Sequence, residues 1–412
     1  MKLLICAIVS LGLFLPSLAP CYPLDGANAT GILRLIGYQE RRQPEGARLD
    51  LEQVDIRLRN RQNLTIPEVD PDFQREVLKI LGEDKPGYAI AVLDISDPDS
   101  PSYAEHRGLH LQNPGSVGKI VVGLAIFQAL ADIYPDSIDE RLRVLRQSMV
   151  TADHFILSDH HKVPFYDTAT GRLSWRPIKQ GDTANLYTYL DWMLSASSNA
   201  AAAMCMREAM MLKHFGRDYP VSEERIDAFF QEASWTEKRD LYQQALVEPL
   251  TRNGIDTELF RQGSFFTWKG KEIVPGMLSY ACPRELMRFM LLLEQGKLVD
   301  NFSSTELKRL LYMTQRRIRY ASSPALYEAA VYFKSGSLYS CKPEEGFVCR
   351  KYQGNVKNYL NSVCTVEHPA QERELLYIAV VQSNVLYKNS AVEHQTLGTR
   401  IQRLIESRHR SP

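Results

Sequence analysis

Positive charge shows no excess in this sequence of 412 residues. Lysine and arginine together number 49, aspartate and glutamate also number 49, and the formal net charge is zero. Because chains that bind nucleic acid concentrate basic side chains, this balance argues against nucleic acid as a main partner. The RLRNRQ stretch at residues 57–62 is basic but short, and it favours a solvated helix face.

Long apolar runs are also absent, except at the N-terminus. Lys2 precedes an apolar run over residues 3–15, and PSLAPC follows, ending at Cys21. The run is too short to span a membrane and is typical of a signal-peptide core, with a buried N-terminal helix as the alternative. We therefore predict a signal peptide over residues 1–20, an exported chain that is periplasmic or extracellular, and no transmembrane span after leader removal. Lipid attachment at Cys21 is less favoured, because Pro20 occupies a position where lipoprotein cleavage sites carry a small residue.

Cysteine is sparse, with seven residues, and none of them has the Cys/His spacing of a zinc site. Cys341 and Cys349 flank KPEEGFV, which has the composition of a hairpin loop, so a disulfide across its base is predicted in an exported chain. His154, His160 and His161 lack carboxylate or cysteine partners at ligand spacing. We interpret them as surface histidines, and we predict no metal and no organic cofactor.

Strand patterns occur early and late in the chain, with a mainly helical region between them. GYAIAVLDI (87–95) and SYAEHRGLHL predict two early strands, and three β-branched or aromatic runs near the C-terminus predict three late ones. The region between, about 134–312, is predicted to be a helical insert interrupted by a hairpin at 163–175. Because the sheet would use both chain ends, we predict an N-terminal extension over 21–70 and one α/β domain over 71–412.

Three short polar motifs lie on these predicted elements. They are Ser116 with Lys119 at the head of the first core helix, Ser197 with Asn199 at a joint in the helical insert, and Lys334, Ser335 and Gly336 on the first late strand. Lys119 lies one helical turn beyond Ser116, so the two side chains share a face. Structural alternatives exist, since the serines and Asn199 also suit helix caps and Lys334 suits an edge strand.

In order and context the motifs resemble those of the serine β-lactamase and penicillin-binding-protein superfamily, whose signatures are S-x-x-K, S-x-N and K-[ST]-G. The resemblance covers roughly residues 75–408 and is nearest to the class A β-lactamase-like branch. It implies an α/β fold (α+β by chain order) of the β-lactamase/transpeptidase-like type. In that fold a five-stranded antiparallel sheet flanked by helices lies beside an all-helical subdomain, and the active site would lie at their junction.

The resemblance also implies roles in acyl transfer. Ser116 would be the nucleophile and Lys119 its base, because burial and the charge of Lys334 would lower the pKa of Lys119. Ser197 would relay a proton to the leaving nitrogen. The backbone N–H groups of Ser116 and Ser337 would form the oxyanion hole.

The remaining motif residues would bind the substrate. Asn199 would hold the substrate amide and orient Lys119, while Lys334 and Ser335 would receive the substrate carboxylate. Gly336 would leave room for the substrate to lie along the strand edge.

One catalytic group of class A enzymes lacks a clear counterpart. The Glu that drives water onto the acyl-enzyme in that class is matched only by two weak candidates, Glu272 and Glu248. Ser198 also stands where class A enzymes usually carry Asp. This Glu acts in deacylation, so its absence does not affect the expected acylation.

We therefore predict an exported serine hydrolase that forms an acyl-enzyme at Ser116 and hydrolyses a β-lactam or a related amide. A D-alanyl-D-alanine carboxypeptidase, a penicillin-binding protein or an esterase on the same scaffold is the alternative among enzymes. The alternative from another class is a sensor of β-lactams or peptidoglycan fragments that is acylated without turnover. The expected partner is a small β-lactam or a D-alanyl peptide, and the expected state is a monomer.

Overall fold

The leader and Cys21, on which the predictions of export and lipid attachment rest, lie outside the described part of the chain. The computed structural model describes residues 44–157, 159–167, 172–313, 317–372 and 374–410. Its strands are β1 (Tyr88–Asp94), β2 (Ser102–His106), β3 (Met149–Thr151), β4 (Val163–Asp167), β5 (Arg172–Arg176), β6 (Thr183–Asn185), β7 (Phe260–Arg261), β8 (Tyr280–Ala281), β9 (Ala330–Ser340), β10 (Lys357–His368) and β11 (Leu375–Asn384).

Most of the helices lie between β2 and β9, where the helical insert was predicted. The helices are α1 (Pro71–Leu81), α2 (Lys119–Ile133), α3 (Ile138–Gln147), α4 (Leu186–Leu194), α5 (Asn199–Phe215), α6 (Glu223–Glu232), α7 (Trp235–Tyr242), α8 (Glu248–Arg252), α9 (Trp268–Ile273), α10 (Pro283–Glu294), α11 (Asn301–Tyr312) and α12 (Ser390–His409). The predicted hairpin at 163–175 is present as the antiparallel pair β4 and β5.

A five-stranded antiparallel sheet is the centre of the fold, as predicted. Its strand order is β2-β1-β11-β10-β9, so two strands from the first part of the chain pair with three from its end. Every residue of β1 is buried, because its alternating side chains meet a packed layer on each face of the sheet. Strand β9 forms one edge and lies against a 3₁₀ turn at Gly115–Gly118.

Helices α1 and α12 cover one face of the sheet. Helix α1 begins where Asp70 accepts hydrogen bonds from two backbone N–H groups of the first turn and a proline occupies the first helical position. Its buried side chains Phe73 and Val77 share an apolar cluster with Leu397 and Ile401 of α12. The C-terminal helix α12 therefore packs on the sheet beside α1.

Helix α2 is the centre of the helical part and contacts α4, α5 and α11. Its residues are buried without interruption from Lys119 to Leu130. By length and composition, Gly115–Ile133 is the one helix among the described residues that could cross a membrane, and 72% of that window is buried within the fold. Such burial is typical of the core helix of a globular protein.

The basic stretch at 57–62 is not a helix face, and that prediction was wrong. The helical turns within residues 44–70 are two short 3₁₀ turns, at Glu45–Ala47 and Leu51–Gln53. Arg57 donates two hydrogen bonds to the Glu367 carboxylate (3.0 and 2.9 Å), and the N–H of Leu58 donates to the last residue of α10 (2.9 Å). These distant partners hold the segment in an irregular conformation across the domain.

The disulfide predicted between Cys341 and Cys349 is present, with an S–S distance of 2.08 Å. It lies in the connection between β9 and β10. The other described cysteines, Cys205, Cys282 and Cys364, are free and buried.

Candidate active site

Ser116 and Lys119 are positioned by the 3₁₀ turn that leads into α2. Gly115 begins this turn with a φ of 54°, a conformation that glycine adopts without strain. Because α2 begins at Lys119, its Nζ lies 2.9 Å from Ser116 Oγ. The structure thus brings together the pair that the S-x-x-K spacing predicts.

The other two partners of Lys119 Nζ are carbonyl oxygens. They are Ser197 O at 2.8 Å and Asn199 Oδ1 at 2.7 Å. Because a carbonyl oxygen can only accept a hydrogen bond, each of these contacts uses one N–H group of the lysine. In the neutral amine the remaining position is the lone pair, which is directed at Ser116 Oγ. This arrangement suits Lys119 to take the proton of the Ser116 hydroxyl.

Burial makes the neutral form of Lys119 accessible near neutral pH. Desolvation lowers the pKa of the lysine to about 7, the positive charge of Arg319 lowers it as well, and Asp159 opposes both effects. The aromatic ring of Phe266 lies 4.8 Å from Lys119 Nζ and helps the site to tolerate the charged form. A substantial fraction of the molecules therefore carries a basic amine beside the Ser116 hydroxyl.

Ser197 and Asn199 occupy the joint between α4 and α5, as predicted. Ser197 has a φ of 60°, in the left-handed region that a serine adopts only at an energetic cost. In this conformation its carbonyl accepts from Lys119, while its Oγ lies 2.7 Å from Lys334 Nζ. Ser197 therefore contacts both lysines of the site.

Asp159 places a carboxylate beside the S-x-N motif, in which Ser198 stands where class A enzymes usually carry Asp. One of its oxygens accepts from Ser198 Oγ and from the N–H of Ala200, both at 2.8 Å, at the N-terminus of α5. Burial alone would raise the pKa of Asp159, but the hydrogen bond and charge of His161 and the Ala200 N–H hold it well below its usual range. Sequence reasoning missed Asp159, which lies 39 residues before Ser198.

The K-S-G motif lies on β9 where this strand passes the head of α2. A Cβ added to Gly336 would lie 2.4 Å from Ser116 N and 2.5 Å from Pro114 O, closer than real atoms approach. A Cβ added to Gly115 would lie 3.3 Å from Ser337 N. The backbone nitrogen atoms of Ser116 and Ser337 thus both lie at the close contact between β9 and the turn, where the sequence analysis expects the oxyanion hole.

Lys334 is buried, and the groups that accept its hydrogen bonds among the described residues are neutral. Its Nζ contacts Ser197 Oγ and, at 3.1 Å, the carbonyl of Ser335. Desolvation is the main cause that lowers the pKa of Lys334 well below its usual value, and the charges of Lys119 and Arg319 add to it. An anion bound here would restore the charged form.

Arg319 is a site residue that sequence reasoning missed. It donates to Ser335 Oγ at 2.9 Å, Ser337 Oγ at 3.1 Å and Tyr352 Oη at 3.2 Å, all of them neutral hydroxyls. Its buried Nε has no partner among the described residues. Together with Lys334 it forms a cationic end of the site that suits a carboxylate. The sequence feature that could have pointed to Arg319 is the basic run that precedes β9.

One cavity of about 650 Å³, a size that accommodates a small organic ligand, is lined by the site residues Ser116, Ser197, Asn199, Arg319, Lys334, Ser335 and Ser337. None of its lining residues, within the described part of the chain, is Asp or Glu. Glu272 pairs with Lys269 at 2.8 Å outside the cavity, and Glu248 is an exposed residue at the start of α8. Neither therefore serves as the deacylating base for which they were candidates.

The histidine-rich stretch divides between two places. His160 and His161 line the cavity, and their rings stack with their centroids 5.1 Å apart. His154 lies elsewhere, beside Asp153 and Asp227. Asp153 is already paired with the buried Arg207 at 2.6 Å.

Comparison with known sequences decides the family. The sequence model of the Beta-lactamase enzyme family matches residues 72–381. The chain belongs to this family. The matched range includes all three motifs of this β-lactamase family member. No curated protein matches its sequence.

Solved structures share the fold of this β-lactamase family member at low sequence identity. A mutant of PBP-A, in an acyl-enzyme complex with penicillin G, has a TM-score of 0.52 at 14% identity, covering 84% of this chain and 100% of that one. A β-lactamase from Sphaerobacter thermophilus has a TM-score of 0.50 at 15% identity, with coverages of 82% and 97%. One from Xanthomonas campestris has a TM-score of 0.50 at 12% identity, with coverages of 85% and 99%. The β-lactamase/transpeptidase-like fold expected from the sequence is confirmed.

Proposed function

We propose that this protein is an exported serine hydrolase that forms an acyl-enzyme at Ser116 and releases the acyl group slowly, as a penicillin-binding protein does. The acyl donor is a β-lactam or a D-alanyl peptide, and export rests on the leader predicted over residues 1–20. The observation that carries the proposal is the environment of Lys119 Nζ. Two of its three partners only accept hydrogen bonds, and the third is Ser116 Oγ.

Acylation begins when Ser116 Oγ attacks the carbonyl carbon of the substrate amide. The hydroxyl proton passes to the lone pair of Lys119, and a C–O bond forms as the carbonyl becomes a tetrahedral oxyanion. The N–H groups of Ser116 and Ser337 donate to this oxyanion, which lowers the barrier because the donors are fixed before charge develops.

Collapse of the intermediate breaks the C–N bond, and the leaving nitrogen then needs a proton. Ser197 Oγ gives its own proton to the nitrogen and takes one from Lys334 Nζ, 2.7 Å away. The charge gained by Lys119 favours this transfer, because that charge lowers the pKa of Lys334. Protons therefore balance within the site, one being taken at Lys119 and one released from Lys334.

Deacylation requires a second base, which must activate water against the ester. Lys119 is protonated after acylation, and no carboxylate is among the described residues that line the cavity. Phe266 and the buried Gln262 lie on the cavity wall instead. This lining supports a long-lived acyl-enzyme, which favours the penicillin-binding alternative over fast β-lactam hydrolysis.

The test is a time course of intact-protein mass with excess benzylpenicillin, run beside absorbance of the free β-lactam. We expect a stoichiometric adduct on the wild-type chain that persists while most of the penicillin remains intact. Ser116→Ala is the matched control and should stay unmodified. A transient adduct with bulk consumption of penicillin would overturn slow release and indicate a β-lactamase. Absence of any adduct would overturn the acyl-enzyme itself for this substrate class.

A further inference from the structure

Positive charge is concentrated in the cavity, although the chain as a whole is neutral. Lys162, Lys271 and Lys351 line the cavity in addition to Lys334 and Arg319, while no described lining residue is acidic. Over the whole sequence, by contrast, basic and acidic residues are equal in number. The excess of positive charge is therefore a local property of this surface.

The three lysines at the rim of the cavity, Lys162, Lys271 and Lys351, come from separate parts of the chain. Lys162 precedes β4, Lys271 lies on α9, and Lys351 follows the Cys341–Cys349 disulfide. The cavity is what brings them to one surface. All three are exposed, so each side chain can reach a ligand at the entrance.

None of the three rim lysines forms an ion pair with a described residue. The contrast with Lys269, on the same short helix as Lys271, is informative. Lys269 does not line the cavity and pairs with Glu272 at 2.8 Å, whereas Lys271 lines the cavity and has no carboxylate partner among the described residues. Lys351 Nζ lies 5.1 Å from the centre of the Tyr352 ring. As far as the described residues go, the rim is therefore a cationic surface without paired carboxylates, and such a surface attracts anions.

The substrate carboxylate that lies beside the scissile amide does not explain why three lysines lie at the rim. Lys334 and Arg319 already form the place for that group, at the buried end of the cavity. The rim lysines lie with exposed apolar side chains of β9, Leu338 and Tyr339, around the rest of the ligand. The ligand portion that meets them must therefore combine an apolar surface with negative charge.

We propose that the preferred acyl donor carries a second carboxylate, on its acyl portion, and that the rim lysines select it. This inference rests on the proposed function, since it names the substrate class of the same site. Coulombic attraction over the entrance raises both encounter rate and affinity, and salt screens it because the rim is exposed.

Three penicillins of nearly equal shape provide the test. Carbenicillin has a carboxylate on the side-chain carbon where benzylpenicillin has hydrogen and ampicillin has an ammonium. The measured quantity is the second-order rate constant of acylation, by intact mass, at low ionic strength. We expect carbenicillin to react about tenfold faster than benzylpenicillin, and ampicillin to react slowest. At about 1 M salt the differences between the three rate constants should nearly disappear.

Substitution of the rim lysines tests whether these residues cause the differences between the rate constants. In the triple variant Lys162→Gln, Lys271→Gln, Lys351→Gln the three rate constants should converge. The matched control neutralises three exposed lysines outside the cavity, Lys79, Lys85 and Lys179. This control variant changes the net charge by the same amount as the triple rim variant. The order of its rate constants for the three penicillins should be unchanged.

Equilibrium binding separates failure of this inference from failure of the proposed function. Dissociation constants of the three penicillins for Ser116→Ala, by calorimetry, should follow the same order without any covalent step. Equal rate constants and equal affinities for the three probes would overturn the selection of a second carboxylate while leaving the acyl-enzyme in place. Ordered affinities without acylation of the wild-type chain would support the selection and overturn the proposed chemistry.

Discussion

Two buried lysines determine the chemistry at the scale of single residues. Lys119 and Lys334 both have lowered pKa values, chiefly because desolvation penalises their charged forms. Ser197 lies between them, with its carbonyl on one and its hydroxyl on the other. A site with this geometry can take a proton at one lysine and supply one from the other.

The pH dependence of acylation tests the role of Lys119. Since its pKa is about 7, the basic amine predominates above that pH and is lost below it. We expect the acylation rate constant to fall about tenfold per pH unit below about pH 7, and to fall again at higher pH where Lys334, the proton donor, becomes neutral. Stopped-flow measurement with benzylpenicillin gives the profile. A flat profile across neutral pH would contradict Lys119 as the base.

The stability of the protein provides an independent check on the same pKa. The folded state binds fewer protons at Lys119 than the unfolded state between about pH 7 and the ordinary lysine value of 10.5. The free energy of unfolding should therefore rise with pH over this interval because of this residue. Lys119→Met should remove that contribution. An unchanged slope would mean that the lysine titrates normally in the folded protein.

Sequence reasoning found the residues that belong to short motifs and missed those that reach the site from elsewhere. Ser116 and Lys119 were predictable because one helical turn fixes their proximity. Asp159 and Arg319 were not, since each meets its partners only through tertiary packing. Glu272 was offered as a base from its place in the chain, but its side chain faces away from the cavity.

The decisive contact at the scale of elements is between β9 and the 3₁₀ turn before α2. Strands and helices were largely predictable from apolar periodicity and turn residues, including all five strands of the sheet. Their close approach was not, because it depends on the lack of a side chain at Gly336. The irregular segment at 57–62 escaped prediction for a similar reason, since its partners lie far away in sequence.

Gly336→Ala tests this contact. The new methyl group would overlap Ser116 N and Pro114 O, so the strand and the turn must move apart. A shift of about 1 Å at the oxyanion hole should slow acylation by about 100-fold. Mass-based acylation rates measure the effect.

Ser340→Ala, at the exposed end of the same strand, is the control for Gly336→Ala and should acylate normally. Circular dichroism should show both variants folded. Normal acylation of folded Gly336→Ala would contradict the close packing of β9 on the turn.

A buried ionic cluster connects distant parts of the whole molecule. Lys308 Nζ donates to the carboxylates of Glu294 and Glu367, at 2.8 and 2.7 Å, and to the carbonyl of Asp55 at 2.8 Å. Arg57 also pairs with Glu367. The cluster joins the segment before α1 to α10, α11 and β10, so it holds the helical part and the sheet around the cavity.

Glu367→Ala should lower the free energy of unfolding by about 3–5 kcal/mol, because it removes the carboxylate partner of the buried Arg57 and leaves Glu294 as the one carboxylate paired with Lys308. Urea unfolding followed by circular dichroism measures the change. Arg59→Ala removes an exposed ion pair with Asp55 and should cost less than about 1 kcal/mol. Equal effects of the two substitutions would show that the buried cluster contributes no more than a surface pair.

The measurement that tests the central claim most directly is the position of the penicilloyl group. Cleavage after Arg107 and Lys119 by trypsin yields the peptide GLHLQNPGSVGK, in which Ser116 is the only hydroxyl-bearing residue. After brief exposure to benzylpenicillin and acid quenching, this peptide should carry the mass of one intact penicillin, with fragment ions that place it on Ser116. A penicilloyl group on any other peptide, or on none, would contradict Ser116 as the nucleophile.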